Sequence, residues 1–148
     1  MGPRRWLIGH APALFARWCE PDAAELGELG EEFAARHLRA RGWVLLGRRL
    51  RTRAGEVDLL AREGGELVCV EVKTSRAQHV PLTHSADPAR ARLNERPGER
   101  WQAPQERRLE RAARLLAREH GAGHARLDLV EVVLEARSAR VELRHRRG

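Results

Sequence analysis

Two adjacent glycines, Gly64 and Gly65, separate two runs that read as β-strands, residues 57–62 and 66–73. Gly-Gly is a strong signal for a two-residue hairpin, because tight turns of the primed types need positive φ without a steric penalty. In the second run Val68, Val70 and Val72 alternate with Leu67, Cys69, Glu71 and Lys73. Successive side chains point to opposite faces of a strand, so the valines line one face while Glu71 and Lys73 share the other. A hairpin closed at the two glycines sets Glu63 against Glu66. Followed outward, the same register sets Asp58 opposite Glu71 and Glu56 opposite Lys73. A one-residue slip would turn every valine to the wrong face, which makes this register a strong constraint on the fold.

Directly opposed residues of an antiparallel pair have β-carbons about 4.5–5.5 Å apart, and like charges at that spacing destabilise the sheet. The opposition of Asp58 and Glu71 is therefore unfavourable unless a divalent cation lies between the carboxylates. Oxygen-only ligation favours Mg2+, or Mn2+, with water completing the shell. Beside this pair stands Lys73, the only lysine among 28 basic residues. A drift that replaced lysine by arginine elsewhere spares it where a compact ammonium is needed and a wide planar guanidinium does not serve. A metal with an adjacent ammonium matches phosphodiester hydrolysis, in which the metal acidifies water and polarises the phosphoryl oxygen. The lysine then stabilises charge in the transition state or orients the attacking water. The competing account reads Asp58, Glu71 and Lys73 as surface ion pairs worth about 0–1 kcal/mol each. The carboxylate opposition, the unbroken valine face and the unique lysine weigh against it.

Elsewhere the 148-residue chain reads as a helix before the strands, a helix after them and two final strands. Asp22 and Glu25 form a D-x-x-E variant of the capping box, opening a helix that runs to about residue 41, with Gly42 at its stop. On it Gly27, Gly30, Glu31, Ala34 and Leu38 share a small-residue face suited to close approach to a sheet. Glu32 is set with Arg36 and Arg39 toward solvent, where ion pairing one and two turns apart is natural. Residues 43–51 give a first strand, Pro104 opens a helix to about residue 120, and 126–134 and 140–143 give the last strands. The pattern predicts an α/β fold with a mixed β-sheet flanked by helices. Residues 1–21 form a loosely specified segment, with Trp6, Leu7, Phe15 and Trp18 available to pack on the single domain formed by 22–148. Residues 75–104 hold no convincing element, and a connection of that length is expected to be functional or poorly ordered without ligand.

The net charge of +7 and pI of about 11.1 favour acidic partners, of which nucleic acid is the commonest. Residues 36–53 carry seven arginines and no acid, and 137–147 carry five arginines against one acid, Glu142. Such clusters contact phosphates and make binding salt-dependent. Arg48, Arg49, Arg51, Arg53 and Arg76 are the residues expected to contact nucleic acid. Their bland alternative is a solvated face of an arginine-rich protein. Trp101 is a candidate stacking residue, while His79 and His84 read as ordinary loop residues. Cys69 reads as a core residue, Cys19 lies near the N-terminus, and neither has the spacing of a zinc site. The N-terminal region lacks the continuous apolar run of a secretory signal, and no stretch approaches a membrane span. The expectation is a cytoplasmic protein.

The segment Gly55-Glu56-Val57-Asp58-Leu59-Leu60, followed by Val70-Glu71-Val72-Lys73-Thr74, resembles the YraN family of uncharacterised bacterial proteins. That family is similar to the PD-(D/E)XK nucleases and related in fold to archaeal Holliday-junction resolvases. The resemblance extends upstream through Gly27, Gly30, Glu31, Ala34, Leu38 and Gly42, and downstream to residues 126–130, covering about residues 26–134. It implies a restriction-endonuclease-like three-layer core. It also implies that Asp58 and Glu71 are metal ligands, Lys73 the catalytic lysine and Glu31 the acid of the first helix. Glu56 and Asp128 match the family as well; pairing with Lys73 is the simplest role for Glu56, and a structural role is favoured for Asp128. Two departures stand out. Thr74 is followed by Ser75, so the usual arginine arrives one place late as Arg76, and Gln105 occupies the position where the second helix often begins with a lysine.

The expected function is that of a Mg2+-dependent, nuclease-like protein hydrolysing DNA, a chain compatible with a homodimer and with no membrane association. Two other classes stay open at this point: a nucleic-acid-binding protein that keeps the fold without turnover, and an interaction protein whose basic surface meets an acidic protein.

Overall fold

A computed structural model describes residues 2–77, 103–135 and 140–148. Among these residues four helices and five strands follow in the order α1 (Pro3–His10), α2 (Pro12–Trp18), α3 (Ala23–Ala40), β1 (Val44–Thr52), β2 (Gly55–Glu63), β3 (Glu66–Ala77), α4 (Ala103–Glu119), β4 (Arg126–Glu135) and β5 (Val141–Arg147). The strands form one sheet in sequence order, antiparallel except for the parallel pair β3–β4. Helices cover both faces, giving the α/β architecture with a mixed sheet flanked by helices that the pattern of elements predicts. Most of the 75–104 segment lies outside the described residues, and with it His79, His84 and Trp101. Among the described residues no helix is long and apolar enough to cross a membrane.

Each layer follows from strand periodicity. Val68 and Val70 pack with Leu29, Ala34, Ala35 and Leu38 of α3, with partly buried Val72 against the same cluster. Leu67 and Cys69 instead meet Leu109, Ala112, Ala113 and Leu116 of α4. A fully buried aliphatic side chain contributes roughly 1.5–3 kcal/mol, so these two stripes hold both helices on the sheet. Burial also pushes the Cys69 thiol up to about 12, which keeps it an inert core residue. The hairpin register is the expected one, from Glu63 against Glu66 out to Leu59 against Val70.

Helix α3 starts where its capping box places it: Asp22 accepts from the Glu25 amide at 2.8 Å, and Glu25 accepts from the Asp22 amide at 3.1 Å. Its close-packed face is narrower than the run of small residues suggests. Gly30 lies on Thr74 so closely that a β-carbon would collide with the hydroxyl and sit 2.8 Å from Thr74 Cβ, whereas Gly27 borders open space. Glu32 corrects the expectation of a solvent-facing pair. It is only 6% exposed, because Arg36, one turn on, and Arg48 of β1 fold over it, each at 2.7 Å. Residues 1–21, for which the sequence specifies no element, carry two short helices that rest on α3 through buried Ile8 and Phe15. Trp6 and Trp18 stay exposed. Arg36 ties α1 down by donating to the Gly9 and His10 carbonyls at 3.0 and 3.2 Å.

The Gly30 contact is testable. Overpacking a tight site typically costs about 1–3 kcal/mol. Gly30→Ala should lower the urea midpoint accordingly, and adding Thr74→Ala should restore part of the loss. An unchanged midpoint for Gly30→Ala would show that the helix sits farther from the strand.

Candidate active site

The site forms where β2 leaves β3. Their ladder ends at Leu59 and Val70, while β3 continues beside β4 to Ala77. At the parting point Asp58 accepts the Val72 amide through Oδ2 at 2.8 Å, so a side-chain carboxylate takes the place of a strand carbonyl. The backbone around Asp58 is irregular. Val57 and Leu60 pack toward α4, but Leu59 and Ala61 pack toward α3, so the alternation of faces slips beside Asp58. On β1, Arg49 falls between the pairs Arg48–Leu59 and Leu50–Val57, across from Asp58. It is the one described non-glycine residue with positive φ, at 49°. Left-handed backbone at such a residue costs on the order of 1–2 kcal/mol, so the irregularity spans both strands.

Glu71 reaches the site from the face covered by α4 and is 8% exposed. Its Oε1 accepts from Lys73 Nζ and from Gln105 Nε2, both at 2.7 Å. The outward extension of the register expects Lys73 against Glu56. The structure pairs Lys73 with Glu71 two positions away, and Glu56 with Arg51 at 3.2 Å, because β2 and β3 have already separated there. Gln105 was visible in the sequence only as a departure from the family pattern; its amide is a member of the site, brought in by the first turn of α4. Glu131, the register partner of Lys73 on β4, is a further buried carboxylate that sequence reasoning missed. It pairs with Arg146 at 3.3 Å.

Glu31 stands at the same junction on α3. Arg49 grips both of its oxygens, with Nε at 2.9 and 3.2 Å and Nη2 at 3.1 Å. The electrostatics concentrate on Asp58. Burial first, then the neighbouring Glu71 charge and a contribution from Glu31, raise its carboxyl from 3.8 to about 7, against the opposing Val72 amide and Lys73. Two carboxylates in mutual repulsion, with an ammonium on the second, fit a hard divalent cation of the kind held by one or two carboxylates and completed by water or phosphate. Asp58 and Glu71 are the residues that would hold it. Among the described residues no set of three acidic, histidine or cysteine side chains converges on one point.

The arginines expected at a nucleic-acid surface divide into three. Arg48 and Arg49 are bound to Glu32 and Glu31 of α3. Arg51 and Arg53 are exposed at the β1–β2 turn. Arg76, at the far end of β3, donates to the Pro21 carbonyl at 3.3 Å and pairs with Glu20 at 3.5 Å. Asp128 has the structural role expected of it. Fully buried, it accepts from Arg126 at 2.7 and 3.0 Å and bonds His145 at 2.7 Å. Burial alone would raise its carboxyl, but the Arg126 and His145 bonds outweigh it and hold the group below the usual range.

The molecule is thus an α/β protein carrying a lysine-flanked carboxylate site at the parting of two strands. The model of the uncharacterised protein family UPF0102 matches residues 30–132. A UPF0102 protein of Symbiobacterium thermophilum is 40% identical over 109 residues, 72% of this chain and 80% of that protein. One of Leifsonia xyli is 39% identical over 126 residues, 84% of this chain and 94% of its own. One of Streptomyces griseus is 37% identical over 127 residues, 83% and 93% of the two chains. The chain belongs to UPF0102, the YraN family.

A pH dependence follows from the raised Asp58 carboxyl. The folded protein holds this proton more tightly than the unfolded chain does, so ionisation of Asp58 disfavours folding. The penalty is absent below the ordinary value of 3.8 and complete above about 7. Asp58→Asn removes it while keeping an oxygen for the Val72 amide. In metal-free buffer the variant should melt above wild type at pH 8, with the gap closing toward pH 4. A gap that widens on acidification would contradict this assignment.

Proposed function

We propose that this UPF0102 protein is a metal-dependent nuclease-like enzyme that hydrolyses phosphodiester bonds in DNA. The observation that carries the reading is the placement of Asp58 and Glu71 in mutual repulsion where β2 and β3 part, with Lys73 donating to Glu71. The resemblance to PD-(D/E)XK nucleases supports it, as does the basic surface. A bound Mg2+ or Mn2+ would supply a Lewis acid that polarises the phosphodiester and acidifies water.

The chain's own residues have distinct parts in this scheme. Asp58 is fixed by the Val72 amide through one oxygen, which leaves the other available as a donor. Glu71 is fixed through Oε1 by Lys73 and Gln105, so its second oxygen is likewise oriented. Lys73 is half exposed, so its ammonium is within reach of an incoming phosphate as well as of Glu71. Charge develops on the phosphoryl oxygens as water attacks, and a preorganised ammonium stabilises it there. Glu31 joins the same acidic junction from α3. Arg51 and Arg53, exposed at the β1–β2 turn, supply contacts to the DNA backbone, and Arg48, Arg49 and Arg76 add to them only by exchanging their carboxylate partners Glu32, Glu31 and Glu20 for phosphate. A cytoplasmic, reducing setting accompanies the reading, in keeping with two free cysteines. Assembly as a homodimer is compatible with it.

The test combines binding and turnover. Calorimetry should show Mn2+ binding to wild type and little to Asp58→Asn. A screen of duplex, flap, single-stranded and four-way DNA with Mg2+ or Mn2+ should reveal cleavage. Lys73→Arg keeps the charge but replaces the compact ammonium, so it should leave folding and metal binding nearly unchanged. Loss of a well-placed electrostatic group should lower cleavage on the order of 10²–10³-fold. Equal Mn2+ affinity for wild type and Asp58→Asn would sink the metal site. A salt-sensitive DNA shift without cleavage would point instead to a binding protein that keeps the fold without turnover.

A further inference from the structure

Arg49, which falls across from Asp58 on β1, holds both oxygens of Glu31, and among the described residues it is the ion-pair partner of Glu31. Arg49 in turn is not a buried structural cation. Its side chain is 43% exposed, its backbone is left-handed, and its position on β1 lies across from Asp58. Arg49 also touches Glu28 at 3.5 Å, but Glu28 has a shorter partner in Arg5 at 2.7 Å. Departure of Arg49 would therefore leave Glu28 paired and Glu31 bare. A guanidinium fork matches the oxygens of a phosphate as well as those of a carboxylate, so exchange of one for the other keeps Arg49 bidentate.

Resting on the metal-nuclease reading of the same site, we propose that Arg49 is a phosphate-operated latch. A backbone phosphate of DNA takes the Arg49 fork from Glu31, and the freed Glu31 becomes the third carboxylate available to the cation beside Asp58 and Glu71. Without phosphate the acid is neutralised by Arg49 and the site offers the metal two carboxylates. With phosphate bound, Glu31 loses its Arg49 partner and is free to turn toward Asp58 and Glu71, with which it does not converge while Arg49 holds it, and a divalent cation is the group that would draw the three carboxylates together. Phosphate and metal thus favour the same arrangement. By linkage each must raise the affinity for the other by the same factor. The metal site is then completed only when substrate is present, and Arg49 acts as a positioning residue for Glu31.

The experiment measures Mn2+ affinity by calorimetry, with and without a short phosphorothioate DNA that resists cleavage. The proteins are wild type, Arg49→Asn and Glu31→Gln. Asn tolerates left-handed backbone, so the first substitution leaves the strand conformation accessible. DNA should raise the Mn2+ affinity of wild type on the order of tenfold, within the usual range of coupling between sites. Arg49→Asn should bind Mn2+ more tightly than wild type in the absence of DNA and gain little when DNA is added. Glu31→Gln should bind weakly in both conditions, with the enhancement lost. If Arg49→Asn matches wild type without DNA and shows the same enhancement with it, the latch is overturned while the metal site stands. If no form binds Mn2+, wild type with DNA included, the metal site and the latch fall together.

Discussion

The Asp58–Val72 hydrogen bond is the contact on which the rest of the site depends. An antiparallel ladder that continued outward would fill this position with a backbone carbonyl and leave no room for a functional group. Ending the ladder at Leu59 and Val70 frees the Val72 amide, and a partly buried amide with no strand partner needs an acceptor. Asp58 supplies one, which commits a carboxylate to a half-buried position next to Glu71. The repulsion that follows is a direct result of this substitution, and so is the raised Asp58 carboxyl. The irregular backbone on both sides, with slipped facing of residues 57–60 on β2 and left-handed Arg49 on β1, is the local distortion that accompanies it.

Helix α3 explains why a chain with a net charge of +7 does not simply present that charge to solvent. Its acidic residues face a ring of arginines from three elements. Glu25 pairs with Arg4 at 2.6 Å, Glu28 with Arg5 at 2.7 Å, Glu31 with Arg49 at 2.9 Å, and Glu32 with both Arg36 and Arg48. These pairs bind α1 and β1 to α3, and the largely buried Glu32 gives its two arginines a better-defined geometry than an exposed pair would have. Exposed pairs contribute little individually, about 0–1 kcal/mol. Their number nevertheless changes the reading of composition, because an arginine engaged with a carboxylate meets a phosphate only by exchanging partners.

Much of this architecture is legible in the sequence, and the limits have physical causes. The Gly64-Gly65 turn fixed the hairpin register, since a single closure point determines every pair that follows while the ladder lasts. The same logic failed for Lys73, because its extrapolated partner Glu56 lies beyond the point where the strands separate. Nothing in the alternation of residues 55–60 marks that separation. Glu32 looked like a solvent residue because helical spacing ranks it beside Arg36 but is blind to Arg48, which arrives from another element. Gln105 and Glu131 needed the tertiary structure for a similar reason: α4 follows β3 by a long connection, and the parallel β3–β4 register has no turn to set it.

Strand β3 joins two ends of the molecule that treat charge in opposite ways. At the hairpin end, Arg126 binds Asp128, Glu63 and Glu66 together and lies 5.6 Å from the centre of the Trp43 ring. His145 completes that network through Asp128 and stands edge-on to Trp43 at 5.3 Å. Carboxylates there are matched by cations, and Asp128 is held ionised although it is fully buried. At the other end, three residues beyond the last β2–β3 pair, Lys73 and Gln105 converge on a single oxygen of Glu71 while Asp58 is left with its charge opposed. A buried network with every member satisfied rigidifies its surroundings, whereas an incompletely compensated one is unfavourable in isolation. The satisfied end anchors β3 firmly enough for the uncompensated end to persist in a folded protein. Among the described residues, the opposed carboxylates Asp58 and Glu71 thus lie where β2 and β3 part, away from the matched network at the hairpin end.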